Sequence, residues 1–142
     1  MIARFCIQEK TSVSTAVPCS LEKFNEMLDS ERVKRICAHI VQTSDDEQRS
    51  KLKRQLPGFC WHAQRFEDDK RKATGAVPSG LAMLDVDHVD EPRKWFESWY
   101  TPEYEAWLKE KRVAYIGITP SAHGLRIVGE MQAGETIPEA QA

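Results

Sequence analysis

Residues 80–88 read Gly-Leu-Ala-Met-Leu-Asp-Val-Asp-His, a short apolar run that ends in two acids. A turn signal precedes the run and charge follows it, which is the pattern of a buried β-strand. Because strand side chains alternate between the two faces, Asp85 and Asp87 are predicted to share one face. Leu84 and Val86 are then predicted to lie on the other. The stretch indicates a core strand that carries a pair of carboxylates.

Two more strands and two helices are predicted downstream of this strand. Residues 113–118 and 125–128 are short apolar runs separated by a polar turn. Pro92 and Pro102 stand where a first helical turn tolerates proline, and aromatic residues at helical spacing follow each of them. Antiparallel strands combined with a pair of aromatic helices are therefore expected here.

Upstream, the sequence predicts a first strand at residues 3–7 and then three helices. Ser20 is a candidate cap for the first helix, and the second begins near Ser30. A capping-box pattern that starts at Ser44 opens a third, strongly charged helix. Residues 59–79 are interpreted as a loop that builds little core.

The whole chain is predicted to be one α+β domain with a mainly antiparallel sheet and flanking helices. Its 142 residues suffice for one hydrophobic core and are too few to suggest two. A helical portion is expected over about residues 1–56 and a motif-bearing portion over about 57–130. Residues 136–142 resemble the start of a helix.

Composition restricts the class of protein. The hydrophobic share of 41% and charged share of 30% are ordinary for a soluble globular protein, and no apolar run is long enough to span a membrane. No signal-peptide pattern is visible, so a cytoplasmic protein without a membrane partner is expected. The four cysteines lack Cys-x-x-Cys or matched histidine spacing, so reduced thiols are predicted and not a zinc site. A net charge of -2 argues against a uniformly basic nucleic-acid binder.

The paired acids suggest a metal site. Two like charges on one strand face repel each other unless a cation or protons neutralise them. Magnesium or manganese, which prefer oxygen ligands, would suit Asp85 and Asp87. The alternative is that the strand ends here and the acids lie exposed in a loop, where Asp90 and Glu91 continue the charge.

A second pattern lies at residues 118–128, Ile-Thr-Pro-Ser-Ala-His-Gly-Leu-Arg-Ile-Val, which predict a strand, a turn and a second strand. The turn offers hydroxyls and free backbone amides, and His123 and Arg126 add donors or positive charge. Such a turn can clasp a triphosphate. Alternatively it is an ordinary hairpin turn in which Arg126 is simply solvated.

Together the two patterns resemble the archaeo-eukaryotic primase superfamily, the primase-polymerases. The run from residue 56 to 66, the acidic strand at 79–88 and the turn at 120–126 look like the primase-like VirE N-terminal domain found in mobile-element replication proteins. The resemblance covers about the second half of the chain. It implies a nucleotidyltransferase that synthesises primers on a single-stranded DNA template.

This resemblance also implies roles for particular residues. Asp85 and Asp87 would be the catalytic residues that hold the divalent metal, magnesium or manganese. Nucleotide triphosphate would be bound by residues of the turn and the following strand: Ser121, His123, Gly124 and Arg126. A helicase domain or another replication protein would be a further partner.

Two departures from the family pattern affect these roles. The second family motif usually ends in histidine where Arg126 stands, so either His123 or Arg126 could contact phosphate. A third motif should add an aspartate, but residues 129–142 contain none. Glu130 shares a predicted strand face with Arg126 and is the nearest substitute. A fragment of a longer replication protein, or a member that lost part of its site, is therefore expected.

Two other functions remain compatible with these residues. A non-catalytic module could keep the primase-like fold to bind single strands or a replication partner. A metal-dependent phosphoesterase could use the same paired acids. Metal dependence and the nature of the product separate the three functions.

Overall fold

The computed structural model describes residues 5–132, apart from the side chain of Trp99. This part of the chain is a mixed α+β structure with five α-helices, one short 3-10 helix at Glu67–Asp69 and antiparallel sheets. The predicted α+β class with antiparallel pairing is confirmed. The helices are α1 Leu21–Asp29, α2 Glu31–Gln42, α3 Asp46–Lys53, α4 Pro92–Trp99 and α5 Pro102–Glu110. The strands are β1 Phe5–Gln8, β2 Val17–Cys19, β3 Gly58–Cys60, β4 Ala63–Phe66, β5 Ala76–Pro78, β6 Leu81–Val86, β7 Val113–Ile118 and β8 Leu125–Glu130.

Two compact units divide between Ser79 and Gly80. The N-terminal unit contains α1 to α3, a sheet of order β2-β1-β3 and the β4-β5 pair. The C-terminal unit contains α4, α5 and a sheet of order β6-β8-β7. No helix among residues 5–132 is long and apolar enough to cross a membrane. The helix predicted at residues 136–142 lies outside the described residues.

Serine side chains cap the starts of α1 and α2; the cap at Ser20 was predicted, whereas Ser30 was predicted only as the approximate start of the second helix. The Ser20 hydroxyl accepts a hydrogen bond from the Lys23 amide at 3.1 Å. In the same way, the Ser30 hydroxyl accepts one from the Val33 amide at 3.3 Å. Each bond satisfies one amide that has no partner inside its helix, which is why serine is favoured at this position.

The capping residue of α3 differs from the prediction. Its cap is Asp45, whose carboxylate accepts a hydrogen bond from the Glu47 amide at 3.0 Å. The predicted capping box at Ser44 is therefore wrong by one residue. Aspartate caps a helix as well as serine does and adds a favourable charge at the helix start, so Asp45 can replace its neighbour in this role.

The loop predicted at residues 59–79 contains most of β3 and all of β4 and β5, so this prediction is wrong. Trp61, between β3 and β4, is only 5% exposed and belongs to the core. The ring of Trp61 lies 4.4 Å from that of Phe5 and 5.3 Å from that of Phe24, centroid to centroid. Strands of three or four residues are too short to show a period of two, so their aromatic content was the only available signal.

Cys6 provides a pH-dependent term in the stability of this unit. Its thiol is fully buried and faces Cys60 on the neighbouring strand. Burial raises the pKa of Cys6 from 9.0 to about 11, and the Cys60 thiol adds to the effect. The folded chain therefore keeps this proton at a pH where the unfolded chain releases it. This contribution of Cys6 to stability is fully present below pH 9, and we expect roughly 2 kcal/mol of it to be lost by pH 11.

Urea unfolding at pH 8 and pH 11 measures this loss. Lysine and tyrosine side chains also titrate in that range, so the informative quantity is the difference between the wild type and Cys6→Ala. The variant is expected to lose less stability on going to pH 11. Equal losses in the two proteins would contradict the assignment to Cys6.

The C-terminal sheet has β8 at its centre, with β6 and β7 on either side. The predicted strands at β6 and β7 match the structure, but burial along β6 does not follow the predicted faces. Leu81 and Ala82 are buried, whereas Leu84 and Val86 are 41% and 38% exposed. The strand is thus buried at its start and accessible at its end, because position along the strand outweighs the alternation of faces. The accessible end carries the acids.

Candidate functional site

The strand register brings the two sequence motifs together. In the β6-β8 pair, Asp85 stands directly opposite Arg126. In the β7-β8 pair, Gly117 stands opposite Arg126 from the other side. Residues opposite each other in an antiparallel pair project to the same face. The acidic and basic motifs therefore meet on one face at one end of the three-stranded sheet.

Asp85 and Arg126 form a bidentate ion pair. The Arg126 Nε donates to Asp85 Oδ1 at 2.8 Å, and Nη2 donates to Oδ2 at 3.0 Å. This hydrogen bond is the main reason why the pKa of Arg126 is raised, while burial acts in the opposite direction. Both side chains are about one third exposed, at 33% for Arg126 and 34% for Asp85. The pair is held by two charge-assisted hydrogen bonds and is still open to solutes.

The loop after β6 is tied to the turn between β7 and β8. The Val89 amide donates to the His123 carbonyl at 2.9 Å. The approach is close at Gly124 as well, since a Cβ atom there would lie 3.0 Å from the Val86 carbonyl oxygen. Glycine at position 124 thus lets the turn pack against the end of the acidic strand.

Within the turn, hydroxyl groups cluster. Thr119 Oγ1 and Ser121 Oγ lie 3.4 Å apart. The Ala122 amide donates to the Thr119 carbonyl at 2.9 Å, and Ala122 itself has a φ of 62°. The left-handed conformation at a non-glycine residue is uncommon and is found most often in tight turns and at functional sites. The predicted turn residues Ser121, His123 and Gly124 are therefore beside the acidic loop.

Tyr115 and Gly117 belong to the site and were not identified from the sequence. The Tyr115 ring lies over Gly117, where an added Cβ would come within 2.6 Å of the ring carbon Cζ. Burial raises the pKa of Tyr115, and the nearby charge of Arg126 partly offsets that effect. Arg126 thus lies between the Asp85 carboxylate and the Tyr115 phenol. A glycine two residues after a strand tyrosine is the only sequence sign of this packing.

Asp87 occupies a different position from its predicted partner. Strand β6 ends at Val86, so Asp87 lies one residue beyond it, and His88 has a φ of 58°. Asp87 and His88 are both exposed. Because Asp87 lies beyond the end of the strand, strand alternation no longer fixes the orientation of this carboxylate.

Glu130 does not supply the third acid. It stands opposite Leu81, whereas Arg126 stands opposite Asp85. The two positions are four residues apart along β8, which corresponds to roughly 13 Å. The substitution suggested by the shared strand face is therefore wrong, because alternation reports the face and not the distance along the strand.

The available donors fit a metal that shares its ligands with a substrate. Between residues 5 and 132, no group of three or more His, Cys, Asp or Glu side chains could hold a metal ion by itself. Magnesium is commonly held by one or two carboxylates together with water and substrate phosphates. Asp85 and Asp87 suit that arrangement by donor chemistry, although Arg126 already occupies the Asp85 carboxylate.

Comparison with known proteins gives no relative. No family model matches the chain, and neither a curated protein nor a solved structure matches it significantly. A function is therefore inferred from the residues and geometry of the β6-β8 site alone.

Proposed function

We propose that the C-terminal unit is the metal- and nucleotide-binding part of a primase-polymerase-type nucleotidyltransferase that acts on a single-stranded DNA template. The observation that carries this proposal is the register that sets Asp85 opposite Arg126. Phosphoryl transfer requires carboxylates for metal ions and cationic or amide donors for phosphate in one place. The pairing of β6 with β8 brings both kinds of group together.

Each element of the site has a distinct task in this proposal. Asp85 and Asp87 provide carboxylate oxygens, and a divalent ion bound there would help activate the primer hydroxyl and neutralise phosphate charge. Ser121 and the backbone of the turn supply hydrogen bonds to the triphosphate. Arg126 provides a planar fork that matches two phosphate oxygens and stays charged at every working pH.

His123 is the other candidate for the phosphate contact. It is exposed, and its backbone carbonyl is fixed by the Val89 amide. The exposed His123 ring therefore belongs to a turn whose backbone is held in place by a hydrogen bond. His123→Ala and Arg126→Gln can be compared directly, and the variant with the larger loss of nucleotide affinity identifies the phosphate contact.

Substitution of Asp85 tests the proposal. Asp85→Asn keeps the size of the side chain and one acceptor for Arg126 but removes the negative charge. We expect manganese-dependent binding of a nucleotide triphosphate, measured by titration calorimetry, to weaken by at least about tenfold. Far-UV circular dichroism should be unchanged.

Asp90→Asn is the matched control, because Asp90 is an exposed acid in the loop that follows the site. It should bind nucleotide as the wild type does. If Asp85→Asn retains full manganese-dependent binding, the proposed site is incorrect. Cleaved nucleic acid in place of an extended primer would point to a phosphoesterase.

A non-catalytic module is the second candidate function. It is favoured by the lack of a group of three metal-ligating side chains among residues 5–132 and by the neutralisation of Asp85 through Arg126. Such a module would bind single-stranded DNA without added metal. Strand binding that persists in a protein lacking both Asp85 and Asp87 would select this function.

A further inference from the structure

Both oxygens of the Asp85 carboxylate are occupied by one guanidinium group. Arg126 Nε donates a hydrogen bond to Oδ1 at 2.8 Å, and Nη2 donates one to Oδ2 at 3.0 Å. A divalent cation at Asp85 would need the same oxygens and would meet the positive charge of Arg126 at close range. The guanidinium cannot remove this conflict by losing a proton, because arginine stays charged. It has to move.

We propose that Arg126 is the resident counter-ion of Asp85 and changes partner during ligand binding. In this exchange a divalent cation takes the Asp85 carboxylate, and the released guanidinium turns to the phosphate groups of the nucleotide. The inference rests on the proposed function, since it assumes that Asp85 ligates the cation. Its consequence is an order of events in which the cation binds before the nucleotide.

The surroundings of Arg126 allow such a movement. Asp85 and Arg126 are each about one third exposed, so ions can reach the pair without opening the sheet. On the other side of Arg126, position 117 has no side chain, and the Tyr115 phenol fills that space. The guanidinium is therefore bounded by the Tyr115 ring on one side and by the Asp85 carboxylate, which a cation can take from it, on the other. The free direction is toward solvent.

The neighbouring turn gives the released group a destination. Its Ser121 and Thr119 hydroxyls lie 3.4 Å apart, and the Val89–His123 hydrogen bond holds the turn next to the end of β6. A phosphate bound at these hydroxyls would add the negative charge that Arg126 loses when it leaves Asp85. Arg126 would therefore have a negative partner both before the exchange, when it pairs with Asp85, and after it, when it pairs with phosphate.

Manganese affinity in the absence of nucleotide tests the first half of the exchange. Arg126→Gln removes the competing charge and fork, so we expect it to bind manganese about tenfold more tightly than the wild type, as measured by electron paramagnetic resonance. Arg126→Lys keeps the charge but loses the two-pronged fork, so its manganese affinity should lie between those of the wild type and Arg126→Gln. Circular dichroism checks the fold of both variants.

Nucleotide titration at saturating manganese tests the second half. Arg126→Gln should bind the triphosphate at least about tenfold more weakly, although it holds manganese more tightly. Opposite changes in the two affinities are specific to a residue that serves both partners in turn. A residue that only supports the fold would lower both.

A measurement on the wild type needs no variant. The Arg126 Nε–H resonance in a nitrogen-15 spectrum reports its hydrogen bond to Asp85, and saturating magnesium should shift it strongly. An unchanged resonance with magnesium bound would overturn the exchange.

The outcomes separate the two proposals. If neither the wild type nor Arg126→Gln binds manganese, both proposals fail. If the two bind manganese equally, the exchange is wrong while the proposed metal site stands. Tighter manganese binding with unchanged nucleotide affinity would overturn the transfer of Arg126 to phosphate.

Discussion

Replacing Phe24 by alanine is expected to lower the free energy of unfolding of the N-terminal unit by about 3–5 kcal/mol. Phe24 is 4% exposed and is the buried residue of α1. Its ring centroid lies 4.9 Å from that of Phe59, 5.3 Å from that of Trp61 and 5.7 Å from that of Phe5. Truncation removes three ring contacts and leaves a cavity that short strands cannot easily fill.

Urea unfolding followed by far-UV circular dichroism measures the change. Leu21→Ala is the control on the same helix, because Leu21 is 48% exposed. Its effect should stay below about 1 kcal/mol. Similar small losses for the two variants would mean that α1 does not anchor the aromatic cluster.

Replacing Gln8 by leucine is expected to lower the free energy of unfolding by about 1–3 kcal/mol. The Gln8 side chain is only 2% exposed. Its Oε1 accepts a hydrogen bond from Arg71 Nη1 at 3.0 Å, and its Nε2 donates to the Val13 carbonyl. Leucine has similar volume and satisfies neither group, so the Arg71 guanidinium and the Val13 carbonyl would each lose a partly buried hydrogen bond.

Gln64→Leu is the control for this change. Gln64 is exposed and donates a hydrogen bond to the Pro78 carbonyl at 3.1 Å, where water can replace it. We expect a loss below about 1 kcal/mol in the same urea assay. A Gln8→Leu variant as stable as the wild type would show that the Arg71 contact contributes nothing net.

The helices were predictable because each carries several local signals. Apolar residues at helical spacing and a serine cap locate α2 without any tertiary information, and Pro102 with Thr101 locates α5. Strands β3 and β4 have three and four residues and leave no period to detect. Their place in the core depends on partners distant in sequence, such as β1 for β3.

For the site, the sequence identified the residues but not their pairing. Asp85 and Arg126 were each singled out, yet their ion pair depends on which strands are neighbours and in which register. Tyr115 and Gly117 were missed because their packing arises inside one strand, and its only sign in the sequence is a glycine two residues after a tyrosine. The common face predicted for Asp85 and Asp87 depends on a different condition. Side chains alternate between faces only while the strand continues, and β6 ends at Val86.

The separation of Asp85 from Arg126 also affects how the site assembles. Strands β7 and β8 are joined by residues 119–124, so they can form a hairpin within about 1–10 μs. Asp85 lies 41 residues before Arg126, and closing a loop of that length carries an entropy cost of about 3 kcal/mol. During folding, the turn and Arg126 therefore come together first, and the acidic strand completes the site when it adds to the hairpin.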